Sequence, residues 1–419
     1  MPRLPSAPGT WAPGTALLLA ALLLASLALP LIALPRAQAA SAAADSSAPT
    51  LAADSAYARP VVPPPGARVA EWETLETGLP EEVRLRPIGG FRMNRVDGFA
   101  ITVGGAFQTA RSPAPALFAQ VTGTTERRNV LLAEAGFELP LGDRPWLQIG
   151  ASAHRRTATE DEWIVGELEN TLFALFARTD YRDYYDAKGA RGYLAWNPGS
   201  DVTVRADVRF EAQKSLRGRD VFSLLGKHGD FRPNPAIRDG DEQALAVTCR
   251  IGPKTLPQRG GAHGELTYER SGDPLEGDYE YGRLRAVAQS RFRISNTRSA
   301  RVRVIGGSTR SGALPVQRVW HVGGIGTMRG HDYKFYSGDQ FFVATAEHQV
   351  RARKNVYPFW FVDYGAAWFG RANLGRQRPG MDGGMGVRLG EDWVSLTVAK
   401  DLRNSKSKFL VGVRILGTF

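Results

Sequence analysis

From about residue 94 to its end, this chain of 419 residues holds no apolar run long enough for a membrane-spanning helix. It is built instead of short segments in which apolar and polar residues alternate. Alternation at period two marks strands with one dry and one wet face, because successive strand side chains point to opposite faces. The stretch 202–211 is the clearest case. Val202, Val204, Ala206, Val208 and Phe210 share one face, and Thr203, Arg205, Asp207, Arg209 and Glu211 the other. A water-soluble sandwich would turn the apolar face inward, whereas a transmembrane barrel turns it outward to lipid. Two features select the barrel. The face of Leu284, Ala286, Ala288, Ser290 and Phe292 is too small and smooth to fill a dry core. Trp360 and Trp368 flank Val362, Tyr364 and Ala366 on another face. Their separation is about 26 Å along a strand and roughly 20 Å along the membrane normal after tilt, near the height of an apolar band between aromatic girdles.

Alternating segments fall near 97–108, 114–123, 129–140, 146–156, 171–180, 188–196, 201–213, 243–252, 262–270, 281–294, 299–309, 340–353, 358–369, 381–389, 393–401 and 408–419. That makes an all-β antiparallel barrel of about sixteen strands, an even number with both ends on the periplasmic side. The segment 171–180 competes with a helix over 167–185. If the helix forms, parity demands another strand before residue 97. Turns such as 197–200 and 296–299 are short and assigned to the periplasm; 215–243 and 311–340 are long and assigned to the outside. An open sheet edge is not tolerated in lipid, so the sheet must close.

With the apolar faces outward, Arg205, Arg209, Arg283, Arg285, Arg291, Arg293, Arg301, Arg303 and Arg351 turn inward. Fewer acids join them: Asp207, Glu211, Glu347 and Asp363. A cationic lumen would favour anions, which suggests an anion-preferring pore. The preferred reading is that the same arginines hold the barrel's shape through waters, inward loops and acidic neighbours. The net charge of +11 also suits contact with anionic lipopolysaccharide.

Residues 1–39 read as a cleaved signal peptide: Arg3, a nearly continuous Ala/Leu run over 16–34, then Ala37-Gln38-Ala39 as a small-x-small cleavage pattern. A membrane-anchoring helix is the competing reading, and Pro30 and Pro35 count against it. Residues 40–84 are rich in Ala, Ser and Pro and read as a periplasmic tether, with a short helix conceivable at 69–83. The barrel then occupies 85–419. Cys249 is the only cysteine, so no intramolecular disulfide supports an exported chain.

The densest glycine stretch, 321–333, contains Gly323-Gly324, four further residues, then Arg329-Gly330. A glycine-free segment carrying Glu347 follows, and then Phe361-Val362-Asp363-Tyr364-Gly365. Arginine's planar fork binds carboxylates in bidentate fashion, which makes Glu347 and Asp363 candidate partners of Arg329. On spacing alone, a glycine-rich loop with an arginine is more often a plain surface turn. The order of these pieces, closed by a strand with Phe409, Val411, Val413, Ile415 and Phe419, resembles the bacterial surface-antigen outer-membrane barrels, the BamA/TamA/FhaC superfamily.

The resemblance covers 315–419. It implies that a long extracellular loop folds back into the lumen, with Arg329 at its tip docked on Asp363 and with Glu347 nearby. It also implies that the terminal aromatic strand is read by the outer-membrane assembly machinery. Three positions depart from the pattern: His331 replaces an aromatic, and His348-Gln349 replace an aromatic–arginine pair. The tether leaves no room for a periplasmic POTRA domain, so the resemblance is to a member without one. Its implied activity is insertion or translocation of protein or lipid at the outer membrane, through a weak seam between strands 97–108 and 408–419. Gly412 and Gly417 would weaken pairing there. A passive channel or structural barrel is the rival. No His-x-x-x-His spacing, nucleophile elbow or phosphate-cradling loop is present, so no enzymatic activity, metal, cofactor or nucleic acid is expected. His348 falls on the outward parity of its strand and reads as an interfacial residue.

Overall fold

The computed structural model describes residues 83–109, 116–141, 146–199, 201–225, 231–253, 260–373, 377–390 and 393–415. The signal peptide, nearly all of the tether, and the terminal Gly417 and Phe419 lie outside them.

The first eleven strands are β1 (Val83–Asn94), β2 (Gly98–Thr109), β3 (Ala116–Thr124), β4 (Leu132–Leu141), β5 (Leu147–Ala158), β6 (Tyr185–Trp196), β7 (Val202–Ser215), β8 (Gly240–Ile251), β9 (Gly261–Ser271), β10 (Tyr281–Arg293) and β11 (Arg298–Gly312). A small ribbon follows, β12 (Trp320–Val322) with β13 (Tyr336–Gly338). The main sheet resumes with β14 (Gln340–Val350), β15 (Val356–Trp368), β16 (Gly380–Leu389), β17 (Val394–Asp401) and β18 (Leu410–Ile415). Sixteen antiparallel strands thus form one sheet in chain order, interrupted only where β11 pairs with β14 across the ribbon.

The total of sixteen agrees with the sequence, but two assignments change. Residues 171–180 do not form a strand; Glu167–Ala177 is an α-helix, α1. Its sequence has a single β-branched residue, Thr171, and is otherwise rich in Glu, Leu and Ala, which lose little conformational freedom in a helix. Glu167 and Glu169 sit in the first turn, where the helix dipole favours acids. Arg178 ends it in the left-handed conformation, φ 51°. The sixteenth strand is β1, before residue 97, so the first strand of the seam is Val83–Asn94 and not 97–108. Pro87 supplies no amide hydrogen, but β1 is paired only with β2, and an edge position tolerates that loss.

The burial pattern is that of a soluble protein turned inside out. Glu242 and Asp363 are fully buried, while Leu117, Met385 and Val411 are 61%, 69% and 70% exposed. Water would oppose that arrangement and lipid favours it. Among the described residues no helix is long and apolar enough to cross a membrane. Trp146, Trp196, Trp360 and Trp393 are all exposed and lie toward the end of the sheet that carries the short turns. They form an interfacial aromatic belt. At the other end of the Trp360 face, Ala366 is covered and Trp368 is half-buried, because the Phe342 ring packs 6.1 Å from Trp368 and 5.4 Å from Tyr364. The sheet curls until its two ends meet one element: α1 bonds both Met93 of β1 and Arg414 of β18.

Candidate functional site: an arginine loop held by luminal carboxylates

The loop between β11 and β14 begins with a single 3-10 turn at Val316–Arg318 and then runs out and back as the β12–β13 ribbon. The turn at the tip requires glycine. Gly324 has φ +76°, and a Cβ there would lie 2.7 Å from the Tyr333 Cα. Gly323 beside it has φ +131°. Gly330 serves close approach: a Cβ would fall 2.5 Å from the Lys400 carbonyl carbon and 2.7 Å from the Asp382 Cγ.

Between these glycines Arg329 is presented to the inner wall. Its Nε and Nη2 donate to the two oxygens of Asp363 at 2.8 and 2.7 Å, its backbone N–H donates to Asp363 Oδ2 at 3.2 Å, and Nη1 donates to Glu347 Oε1 at 2.7 Å. The guanidinium carbon stands 3.4 Å from the Phe361 ring centroid, so a cation–π contact is added to the fork. Burial alone would lower the proton affinity of Arg329; Asp363 and Glu347 outweigh it and raise that affinity. Glu347 lies on β14 and Asp363 on β15, where Gly365 pairs with Val343, so one side chain ties the loop to two strands. The next two residues reach a third. Gly330 donates its N–H to Asp382 Oδ2 on β16 at 2.6 Å, and His331 Nδ1 lies 2.8 Å from Oδ1.

The departures from the family pattern have structural consequences. His331 packs its ring against Phe335 and Tyr336, centroids 4.9 and 5.4 Å away, and anchors on Asp382 where an apolar aromatic could not. Gln349 accepts from Arg388 at 2.6 Å, and Arg388 also bonds Glu347 at 3.0 Å. His348 faces out and stacks on Trp360, centroids 4.4 Å apart. His331, Asp382 and Asp401 are close enough together to hold a cation. Both Asp382 oxygens already have hydrogen-bond partners as above, and Asp401 Oδ1 accepts the Arg403 N–H at 2.9 Å. Phe409, just before β18, and Val411 on it are strongly exposed, Val413 and Ile415 half-buried.

The lumen is less one-sidedly basic than the sequence suggested. Arg205 is clamped by Asp207 at 2.8 and 2.9 Å, Arg209 bonds Glu242 at 2.8 Å, and Arg283 bonds Glu269 at 3.0 Å. Arg285 lies 3.5 Å from Glu265. Arg293 and Arg351 are exposed, beside the short turns, and do not line the interior. The acids Glu134, Glu242, Glu265, Glu269 and Asp382 also stand on inward faces; Glu265 and Glu269 alternate with the outward Leu266 and Tyr268, a parity legible in the sequence.

A second cluster escaped the sequence because, apart from Glu242 on β8, its members lie in loops. Arg318, buried under the ribbon, bonds Glu242 at 2.9 Å and also meets Glu160. Lys334 donates to Asp161 at 2.7 Å and to Asp183 at 2.6 Å, and Arg232 reaches Asp183 as well. Burial would raise the Asp183 carboxyl, but Lys334 and Arg232 prevail and hold it at about 2. Three extracellular loops are thereby knotted inside the barrel mouth. A cavity of about 240 Å³ remains between them and the wall, lined in part by Glu160, Trp163, Arg283 and His321.

No family model and no curated protein matches this chain. Solved structures do. BamA from Haemophilus ducreyi, in a form lacking POTRA domains 1–3, superposes with a TM-score of 0.55 at 11% sequence identity, covering 80% of this chain and 70% of that one. CdiB from Acinetobacter baumannii gives a TM-score of 0.43 at 15% identity, covering 80% of this chain and 59% of that one. The likeness to BamA establishes the fold: a BamA-type transmembrane β-barrel.

Proposed function

We propose that this BamA-like barrel resides in the outer membrane of a Gram-negative-type cell and inserts or translocates protein or lipid there, working at the seam between β1 and β18. The observation that carries the reading is the Arg329 loop. It occupies the interior and is fastened to β14, β15 and β16 by bonds that use nearly every donor of its tip. A diffusion pore needs an unobstructed lumen; here the interior is committed to bracing the wall, and the sheet ends remain as the place where something can be exchanged. No described pairing joins β1 to β18, and both carry glycines, Gly89, Gly90 and Gly412, that weaken a ladder. Outer-membrane lipid and lipopolysaccharide are the surroundings its apolar belt and positive charge fit, and the assembly machinery that folds such barrels is the partner that the sequence 409–419, with Phe409 and Phe419, fits.

The rival, an anion-preferring channel, depended on unneutralised luminal arginines, and the pairs to Asp207, Glu242, Glu265 and Glu269 weaken it. Single-channel conductance in planar bilayers separates the two. Low, fluctuating conductance that becomes larger and noisier in Arg329→Ala is expected. A large, steady, anion-selective conductance unchanged by that substitution would leave the channel reading in its place.

A further inference from the structure

The two strands that end the sheet are both held by one short stretch of α1. On β1, which is paired only with β2, the Met93 N–H donates to Thr171 Oγ1 at 3.2 Å. On β18, which is paired only with β17, the Ile415 N–H donates to Glu169 Oε1 at 2.9 Å, and Arg414 Nε donates to the same oxygen at 2.9 Å. Main-chain donors on the free edges of two strands are what direct pairing between those strands would consume. Here each is consumed by a helix side chain instead.

Glu169 and Thr171 are two positions apart, and at about 100° per residue their side chains leave the helix on nearly opposite sides. A helix that bonds one strand through each of two opposite sides stands between them. Glu169, Asn170 and Thr171 are each only 2% exposed, as expected for the inserted part of a wedge.

We infer that α1 is a removable wedge in the seam, which keeps β1 and β18 from pairing and whose withdrawal lets their edges join. Two further features make removal feasible. The second carboxylate oxygen of Glu169 is buried with no hydrogen-bond partner among the described residues, a desolvation cost of the seated helix that withdrawal relieves. The helix is also coupled to the barrel's outer surface. Asn170 Nδ2 donates to Asp180 Oδ1 at 2.9 Å, and Asp180 Oδ2 accepts the N–H of Arg95, in the β1–β2 turn, at 2.9 Å. A displacement of the 178–184 loop would therefore be felt at the seam. The wedge adds to the proposed seam function but is defined by strand geometry, so its test needs no transport assay.

The test is oxidative crosslinking of the full chain, refolded in lipid nanodiscs, with Cys249→Ser as background. Phe91→Cys on β1 is combined in turn with Phe409→Cys, immediately before β18, and with Val411→Cys and Val413→Cys on β18. With the native helix, low crosslinking is expected for all three pairs. In the near-isosteric double variant Glu169→Gln, Thr171→Val, at least one pair should rise about tenfold, the population shift expected from losing roughly one net hydrogen bond. Heat-modifiable migration on gels confirms that each variant is folded. High crosslinking with the native helix, or yields unmoved by the double variant in folded protein, would overturn the wedge. If the double variant does not fold, Glu169→Gln alone replaces it and the same two results decide.

Discussion

Arg329 concentrates the strongest interactions of the site in one side chain, so its removal has an asymmetric cost. Arg329→Ala strands Asp363 and Glu347, 0% and 4% exposed, without their main counter-charge. Leaving a buried charge unpaired costs about 3–5 kcal/mol, and we expect a fall in unfolding free energy of that order in urea titrations of the refolded barrel. Arg329→Lys keeps the charge but loses the fork, so it should fall between wild type and alanine.

The two loop histidines titrate in opposite senses. Burial disfavours a charge on His321 and, with Lys334 nearby, lowers it to about 4, although Asp161 and Asp183 pull the other way. Its contribution is complete above the ordinary value near 6.5 and declines as pH falls from there toward 4. Burial also opposes a charge on His331, but Asp382, Asp401 and Asp332 prevail and raise it. That contribution is complete below about 6.5 and is lost as pH rises through the raised value. Protease resistance of the 313–339 loop should therefore weaken at both extremes. His331→Asn should remove the alkaline loss and leave the acid one; an unchanged alkaline limb would show that His331 is not its source.

The elements differ in how openly the sequence displays them. Strands such as β7 alternate without interruption and can be read directly. β1 cannot: Pro87 and the pair Gly89-Gly90 break its pattern, and they are tolerated only because β1 has one neighbour, a fact about the sheet and not about the segment. α1 was ambiguous because Phe173, Leu175 and Phe176 supply a strand-like apolar set, and its Glu/Leu/Ala composition decides for the helix only once β1 supplies the missing strand. The Arg329 loop was legible because glycines mark where a backbone must turn or approach closely, and an arginine among them has few places to go. The knot of Lys334, Asp161 and Asp183 left no such mark, since isolated charges in long loops look alike whether solvated or buried. For that knot, acid is the probe. Asp183 contributes fully above its ordinary value of 3.8 and progressively less as pH falls toward 2. Asp183→Asn should abolish this dependence and increase hydrogen exchange in both 159–184 and 313–339 at neutral pH. Exchange confined to one loop would mean that the two are not coupled through this residue.

At the scale of the whole molecule, the outward apolar belt and the inward charges place the barrel relative to lipid. Single-tryptophan variants retaining Trp146, Trp196, Trp360 or Trp393 should be quenched by lipids brominated near the headgroups more than by lipids brominated near the chain ends. Trp320, 4% exposed in the ribbon of the loop, should respond to neither. Equal quenching of Trp320 and Trp393 would contradict the assigned inside and outside.

That the sheet follows the chain order has a kinetic corollary. Nearly every ladder joins strands adjacent in sequence, and such hairpins close short loops at small entropic cost. The exception among the ladders is β11 with β14, across the ribbon loop; residues 83–94 and 410–415, almost the whole barrel apart in sequence, come together without a ladder, each against α1. Contacts so distant in sequence form slowly. Assembly of this barrel should therefore run as a quick succession of local hairpins followed by a late, slow encounter of its two ends, and the nascent protein spends its longest-lived partly folded state with those ends still apart.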